Sequence, residues 1–194
     1  MSHTKKAAIG CAVAIVLALA GLGVYFVLAR GSGDVAIDES AYYPVSYVVD
    51  GDTFKADIKG HEITVRMLGM DTPETVDPRK PVQCYGPEAS AETKSLLSGH
   101  SIRLAFNPDR ERKDKYGRYL AYVYIAGPSS RPNDELFVNK FLLENGYARE
   151  YSYSKSKPYS FVDEFKGAEA AAKEAKKGLW GKCEDTESRA VIKA

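Results

Sequence analysis

Between Tyr42 and Leu68 three runs rich in β-branched and aromatic residues follow one another: YYPVSYVV (42–49), TFKADI (53–58) and EITVRML (62–68). Only Asp50-Gly51 and Lys59-Gly60 stand at the junctions. No other feature limits the fold as strongly. Short runs with partial period-two alternation read as strands, and dipeptides of this kind are turn signals. The folded part therefore opens as a three-strand meander. Its third strand runs into MLGMDTPE (67–74), where an apolar stretch ends on two carboxylates, Asp71 and Glu74, around Thr72-Pro73. Negative charge at the rim of a sheet costs folding free energy unless a cation or a reaction uses it.

A helix follows, with Pro87 in its first turn and Ala89, Thr93, Leu96 and Leu97 at helical spacing up to Gly99. SIRLAF (101–106) and YLAYVYI (119–125) supply two more strands, joined by the polar loop NPDRERKDKYGR. The remainder is helical. Asn133 or Asp134 is placed to cap a helix through Phe137, Phe141 and Leu142 that ends at Asn145-Gly146. A further helix over 159–177 repeats Phe161, Phe165, Ala168 and Ala172 and stops at Gly178, after which Leu179-Trp180 folds back as an anchor. Five short strands with a helix between the third and fourth are the layout of an OB-type Greek-key barrel. The expected fold is α+β: a five-stranded OB-fold barrel with three α-helices.

The N-terminus reads as a membrane signal. Ala7 to Ala29 is a run of 23 residues without a charge, preceded by Lys5 and Lys6. About 20 apolar residues span the hydrocarbon core, and a cleavable signal peptide has a shorter apolar region. Lysines ahead of the span place the N-terminus in the cytoplasm and export the rest. The expected organisation is a transmembrane anchor (1–30), a linker (31–41), an OB-fold domain (42–182) and a tail (183–194). Cleavage after Ala20 or Ala29 would instead release a secreted protein. Cys11 reads as a small apolar residue of the span. Two thiols remain, Cys84 and Cys183, and in an exported protein two thiols usually pair.

The formal net charge of +1 conceals an asymmetry, because residues 1–30 hold three basic residues and no acid. The rest carries 24 basic and 26 acidic residues, so no global field draws in a polyanion and phosphate binding must rest on local residues. The carboxylates that share one barrel rim are Asp50, Asp52, Asp71 and Glu74, hard oxygen donors suited to Ca²⁺ or Mg²⁺. His3, His61 and His100 are scattered and form no ligand pattern. Arg66, between Val65 and Met67 on a half-buried strand, needs an anionic partner. Arg118 closes DKYGR beside the last strand. Together these residues can hold a divalent cation, clamp a phosphate through two guanidiniums and take a proton from water with a glutamate.

VVDGDTFKADIKG, VRMLGMDTPET, CYGPEAS, DKYGRYLAYVY and the closing GLW occur in that order over residues 48–180. In these motifs the chain resembles the thermonuclease family, the staphylococcal nuclease type. The resemblance implies an OB-fold nuclease that uses Ca²⁺ to hydrolyse DNA and RNA to 3′-phosphate products. Position by position it implies Asp52, Asp71 and the backbone carbonyl of Thr72 as metal ligands, Glu74 as the base or water-orienting group, and Arg66 and Arg118 as the phosphate clamp. Lys115 and Tyr116 would meet a terminal phosphate, and Tyr151 or Tyr153 would lie beneath a base or sugar of a single strand. Arg79, Lys80, Arg110, Arg112 and Lys113 supply further local positive charge. The monomer is the expected state. The 126–135 segment is longer than the family's turn and is open to a partner. The alternative from another class is a catalytically silent OB module that binds single-stranded nucleic acid or a protein.

Overall fold

The computed structural model describes residues 35–127, 134–153 and 157–183. The expected membrane span at 7–29, Asn133 with the centre of the 126–135 loop, and the tail beyond Cys183 lie outside the described residues. Among the described residues no helix is long and apolar enough to cross a membrane.

The meander is β1 (Tyr43–Val48), β2 (Thr53–Ile58) and β3 (His61–Met67), followed by a two-residue strand β4 (Met70–Asp71). Helix α1 (Gly86–Leu97) leads to β5 (Ser101–Ala105) and β6 (Tyr119–Ile125). Then come β7 (Leu136–Phe137), α2 (Val138–Glu144), β8 (Arg149–Glu150), α3 (Val162–Glu174) and a single helical turn α4 (Leu179–Lys182). Antiparallel pairing runs β3-β2-β1-β5-β6, and a parallel pairing of β3 with β6 closes the ring of five strands. This is an OB-type barrel. A register shift between Val45 and Tyr47 lets β1 pair with β2 along one stretch and with β5 along another. Such an irregularity bends a strand, and a closed barrel needs that bend.

Phe54, Ile58, Val65, Met67, Leu68, Ile102, Leu104 and Val123 are buried inside the structure. The C-terminal helices pack on the barrel through an aromatic cluster in which Tyr122 meets Phe161 edge-on at 4.7 Å and Phe137 meets Phe165 at 5.5 Å. Gly69 has φ +80°, and a Cβ there would come within 2.9 Å of both Tyr159 and Phe165. Conformation and close approach both demand glycine at that point.

One expectation is corrected. Asp134 does not cap α2. The helix starts at Val138 with Phe137 at its N-cap and no side-chain cap. Leu136–Phe137 pairs with β6 as a short strand, and the Phe137 ring stacks on Tyr124 at 4.6 Å. Barrel-edge pairing and ring stacking win over the local capping signal. The helix does end at Asn145, as the Asn-Gly pair indicates.

Candidate active site

The topology gathers the acids and arginines before any side chain is considered. Thr53 stands opposite Arg66 in the β2–β3 ladder, and Val65 stands opposite Tyr119 in the β3–β6 ladder. Asp52 is therefore brought to Arg66, and Arg118 precedes the residue paired with Val65. The β1–β2 turn is held by the Asp50 carboxylate, which accepts from the Thr53 N–H at 2.8 Å. Gly51 lets this turn touch the segment after β4, because a Cβ there would sit 2.6 Å from Thr72 Oγ1.

Asp52 is 1% exposed and carries a dense set of contacts. Its Oδ2 accepts from the Thr72 N–H at 2.9 Å and from Thr72 Oγ1 at 3.1 Å, and its Oδ1 accepts from Thr53 Oγ1 at 2.9 Å. The Arg66 guanidinium, on a residue 9% exposed, bridges Asp52 and Asp71. Burial works against the Arg66 charge, yet the two aspartates hold its pKa above the ordinary range. Burial raises Asp71 despite Arg66 beside it. Burial, then the charge of Asp52, pushes Asp50 up to about 7. Arg66 Nε is buried without a hydrogen-bond acceptor.

Glu74 lies on the loop after β4. Its Oε1 accepts from the N–H groups of Thr75, Val76 and Asp77 at 2.8–3.0 Å. Its own N–H donates to Gln83 Oε1 at 2.7 Å. The disulfide between Cys84 and Cys183 ties the end of this loop to the end of α4.

A cavity of about 590 Å³ is lined by Asp50, Asp52, Arg66, Asp71, Thr72 and Glu74 on one side and by Tyr151 and Tyr153 on another. Arg118 is outside that lining. Its Nε donates to Asp114 Oδ2 at 2.7 Å, while Asp114 Oδ1 accepts from the N–H groups of Tyr116 and Arg118. Burial raises the Tyr153 phenol pKa, and the Arg66 charge opposes that rise. Tyr151 and Tyr153 meet edge-on at 4.6 Å. Lys115 and Tyr116 stand on the exposed DKYGR turn, with Tyr116 70% exposed and the ammonium 5.0 Å from its ring. They do not line the cavity.

Sequence reasoning missed the far wall: Arg149, Lys173 and Trp180. The β4–β8 ladder brings in Arg149 by pairing it with Asp71, while Lys173 comes from α3 and Trp180 from α4. Two-residue strands leave no periodic signal, so no local pattern could have found it.

Among the described residues no group of three or more acids, histidines and cysteines forms a ready metal cage. The donor chemistry nevertheless fits a hard divalent cation. Asp52 and Asp71 share one guanidinium, and half-buried Asp50 beside them is driven toward its neutral form. Uncompensated carboxylate charge of this kind favours a cation held by two carboxylates and water.

The family model for staphylococcal nuclease homologues matches residues 64–182. The chain belongs to the staphylococcal nuclease family. It is 36% identical over 179 residues to a thermonuclease of Staphylococcus hyicus, an alignment covering 91% of this chain and 98% of the relative. It is 44% identical over 135 residues to a thermonuclease of Staphylococcus intermedius, covering 70% of this chain and 71% of that one. An SPbeta prophage-derived endonuclease, YokF of Bacillus subtilis, is 43% identical over 135 residues, which span 69% of this chain and 42% of that protein. Family membership fits the barrel.

Proposed function

We propose that the chain is a nuclease that hydrolyses phosphodiester bonds of DNA and RNA with Ca²⁺ and leaves 3′-phosphates. The supporting observation is the convergence of Asp52, Asp71, Glu74 and Arg66 on one cavity. Asp52, Asp71 and the Thr72 carbonyl would hold the ion, which supplies Lewis-acid polarisation of a phosphoryl oxygen. Arg66 already has a buried Nε without an acceptor, and a phosphate oxygen satisfies it. Arg118 offsets the charge that grows on the phosphoryl oxygens, swinging from Asp114 toward the phosphate. Glu74 orients a water and accepts its proton, the water oxygen bonds to phosphorus as the bond to the 5′-oxygen breaks, and that oxygen takes a proton from solvent as it leaves. Lys115 and Tyr116 meet a terminal phosphate from the DKYGR turn, and Tyr151 and Tyr153 seat a base or sugar of an unpaired strand. Residues 1–30 anchor the protein in the membrane, or are removed to release it, and the domain acts outside the cytoplasm as a monomer.

The deciding experiment is hydrolysis of single-stranded DNA by the purified full chain in detergent, with Ca²⁺ and with chelator. Ca²⁺-dependent cleavage to 3′-phosphate ends is expected. Binding of the strand without cleavage would replace this reading with that of an OB-fold binding module.

A further inference from the structure

The far wall of the cavity holds cations that the proposed chemistry at Asp52, Asp71 and Glu74 does not use. The Arg149 guanidinium stacks on the Trp180 ring at 4.4 Å, and Lys173 Nζ lies 4.4 Å from the same ring. Lys173 is paired with Glu169 at 2.7 Å. Glu150 is engaged by Tyr159 and Ser152. Arg149 is differently placed. Burial pulls its pKa below the ordinary value, against the charges of Glu169 and Asp71. Two donors on this wall, Arg149 Nε and Trp180 Nε1, are buried and have no hydrogen-bond acceptor. A buried donor left unmade is costly, and two such donors, on a half-buried guanidinium and on the ring it stacks against, call for an anionic acceptor. Arg149 is also the ladder partner of Asp71, so the wall is adjacent to the carboxylate end of the cavity.

We propose that Arg149 and Trp180, with Lys173 beside them, form a second phosphate subsite that grips a neighbouring phosphodiester of the strand whose bond is cut. The inference rests on the nuclease reading and adds to it a substrate class: polynucleotides with a further phosphate beside the scissile one. Arg149 supplies a planar cation for phosphate oxygens, and Trp180 holds that plane by stacking and offers an indole N–H. These are binding residues; no bond is made or broken at them.

The test is a binding cycle with the full chain under chelator, where no cleavage confuses the signal. Fluorescence anisotropy measures affinity for a short oligothymidylate and for a series in which each phosphate in turn is replaced by a neutral methylphosphonate. In the unsubstituted protein, neutralising one phosphate next to the central linkage should weaken binding about tenfold. In Arg149→Gln the same replacement should have no further effect, and the slope of log affinity against log salt should fall by about 0.7, the value for one phosphate contact on a single strand. Arg149→Lys should restore most of the slope. Trp180→Phe keeps an aromatic face and removes the N–H, so it reads the same coupling if Arg149→Gln fails to fold. Additive losses at every position, or an unchanged slope, would overturn the subsite, as would absence of strand binding. Hydrolysis by the unsubstituted protein is scored separately. Cleavage without coupling removes this inference alone, and coupling without cleavage removes the nuclease reading alone.

Discussion

At the scale of single residues, Glu74 has a structural duty and, in the proposed mechanism, a chemical one, and the two can be separated. One oxygen accepts three backbone N–H groups of the loop that follows, and the carboxylate faces the cavity. Glu74→Gln keeps a carbonyl oxygen for the loop and removes the base. Turnover of single-stranded DNA is expected to fall by about 10²–10⁴, with nucleotide affinity and thermal midpoint little changed. Glu74→Ala should lose both turnover and stability, because three N–H groups lose their acceptor. Equal turnover in Glu74→Gln and the parent would remove Glu74 from the chemistry. Arg118 depends in turn on Asp114, which burial would raise but hydrogen bonds to Arg118 and Tyr116 hold below its ordinary value of 3.8. A lowered carboxylate stabilises the fold above its unfolded pKa and loses that contribution as pH falls through its folded pKa. The Arg118 side-chain N–H resonance should therefore shift with a midpoint below 3.8, followed by NMR. A midpoint at or above that value would contradict the caged geometry. These residue identities were legible because DTPE and DKYGR are compact motifs. The partners that hold them, Thr72 on Asp52 and Asp114 on Arg118, needed the folded turns.

At the scale of elements, the strands of the meander could be read from alternation and turn dipeptides because each strand and its partner are close in sequence. The two-residue pairings could not. β4 and β8 are far apart in sequence, β6 and β7 pair across the 126–135 loop, and the geometry of both pairs comes from what packs around them. Asn139 shows how such an element is positioned. Fully buried on α2, it accepts from the Val123 N–H at 2.9 Å and donates to the Leu68 carbonyl at 2.9 Å. It thus joins α2 to β6 and to the end of β3, just ahead of Asp71. Nothing in the sequence separates Asn139 from a surface asparagine, since one polar residue on a helix carries no period. Asn139→Ala leaves a buried donor and a buried acceptor unpaired, at about 1–3 kcal/mol each. Denaturant unfolding should show a loss of roughly 2–6 kcal/mol on that basis. A loss under about 0.5 kcal/mol, the size of an ordinary surface change, would mean that water replaces the side chain there.

At the scale of the whole molecule, one covalent link ties the Glu74 loop to the C-terminal helices. Cys84 follows Gln83, whose side chain accepts the Glu74 N–H, and Cys183 follows the turn that carries Trp180. The bridge spans a sequence separation of 99 residues, and for a loop of that size the chain-entropy account gives about 4–5 kcal/mol. Both the Glu74 loop and the far wall of the cavity hang on it, so its loss should reach function as well as stability. Cys84→Ser and Cys183→Ser should each lower the thermal midpoint by an amount that the double variant does not increase, because either change opens the same bond. Turnover should drop at temperatures where the fold itself is intact, as Glu74 loses its tether through Gln83. A non-reducing peptide map of the purified chain gives the direct check: a single peptide joining residues 84 and 183 is expected. Free thiols at both positions, with unimpaired turnover in the serine variants, would show that packing alone seats the loop.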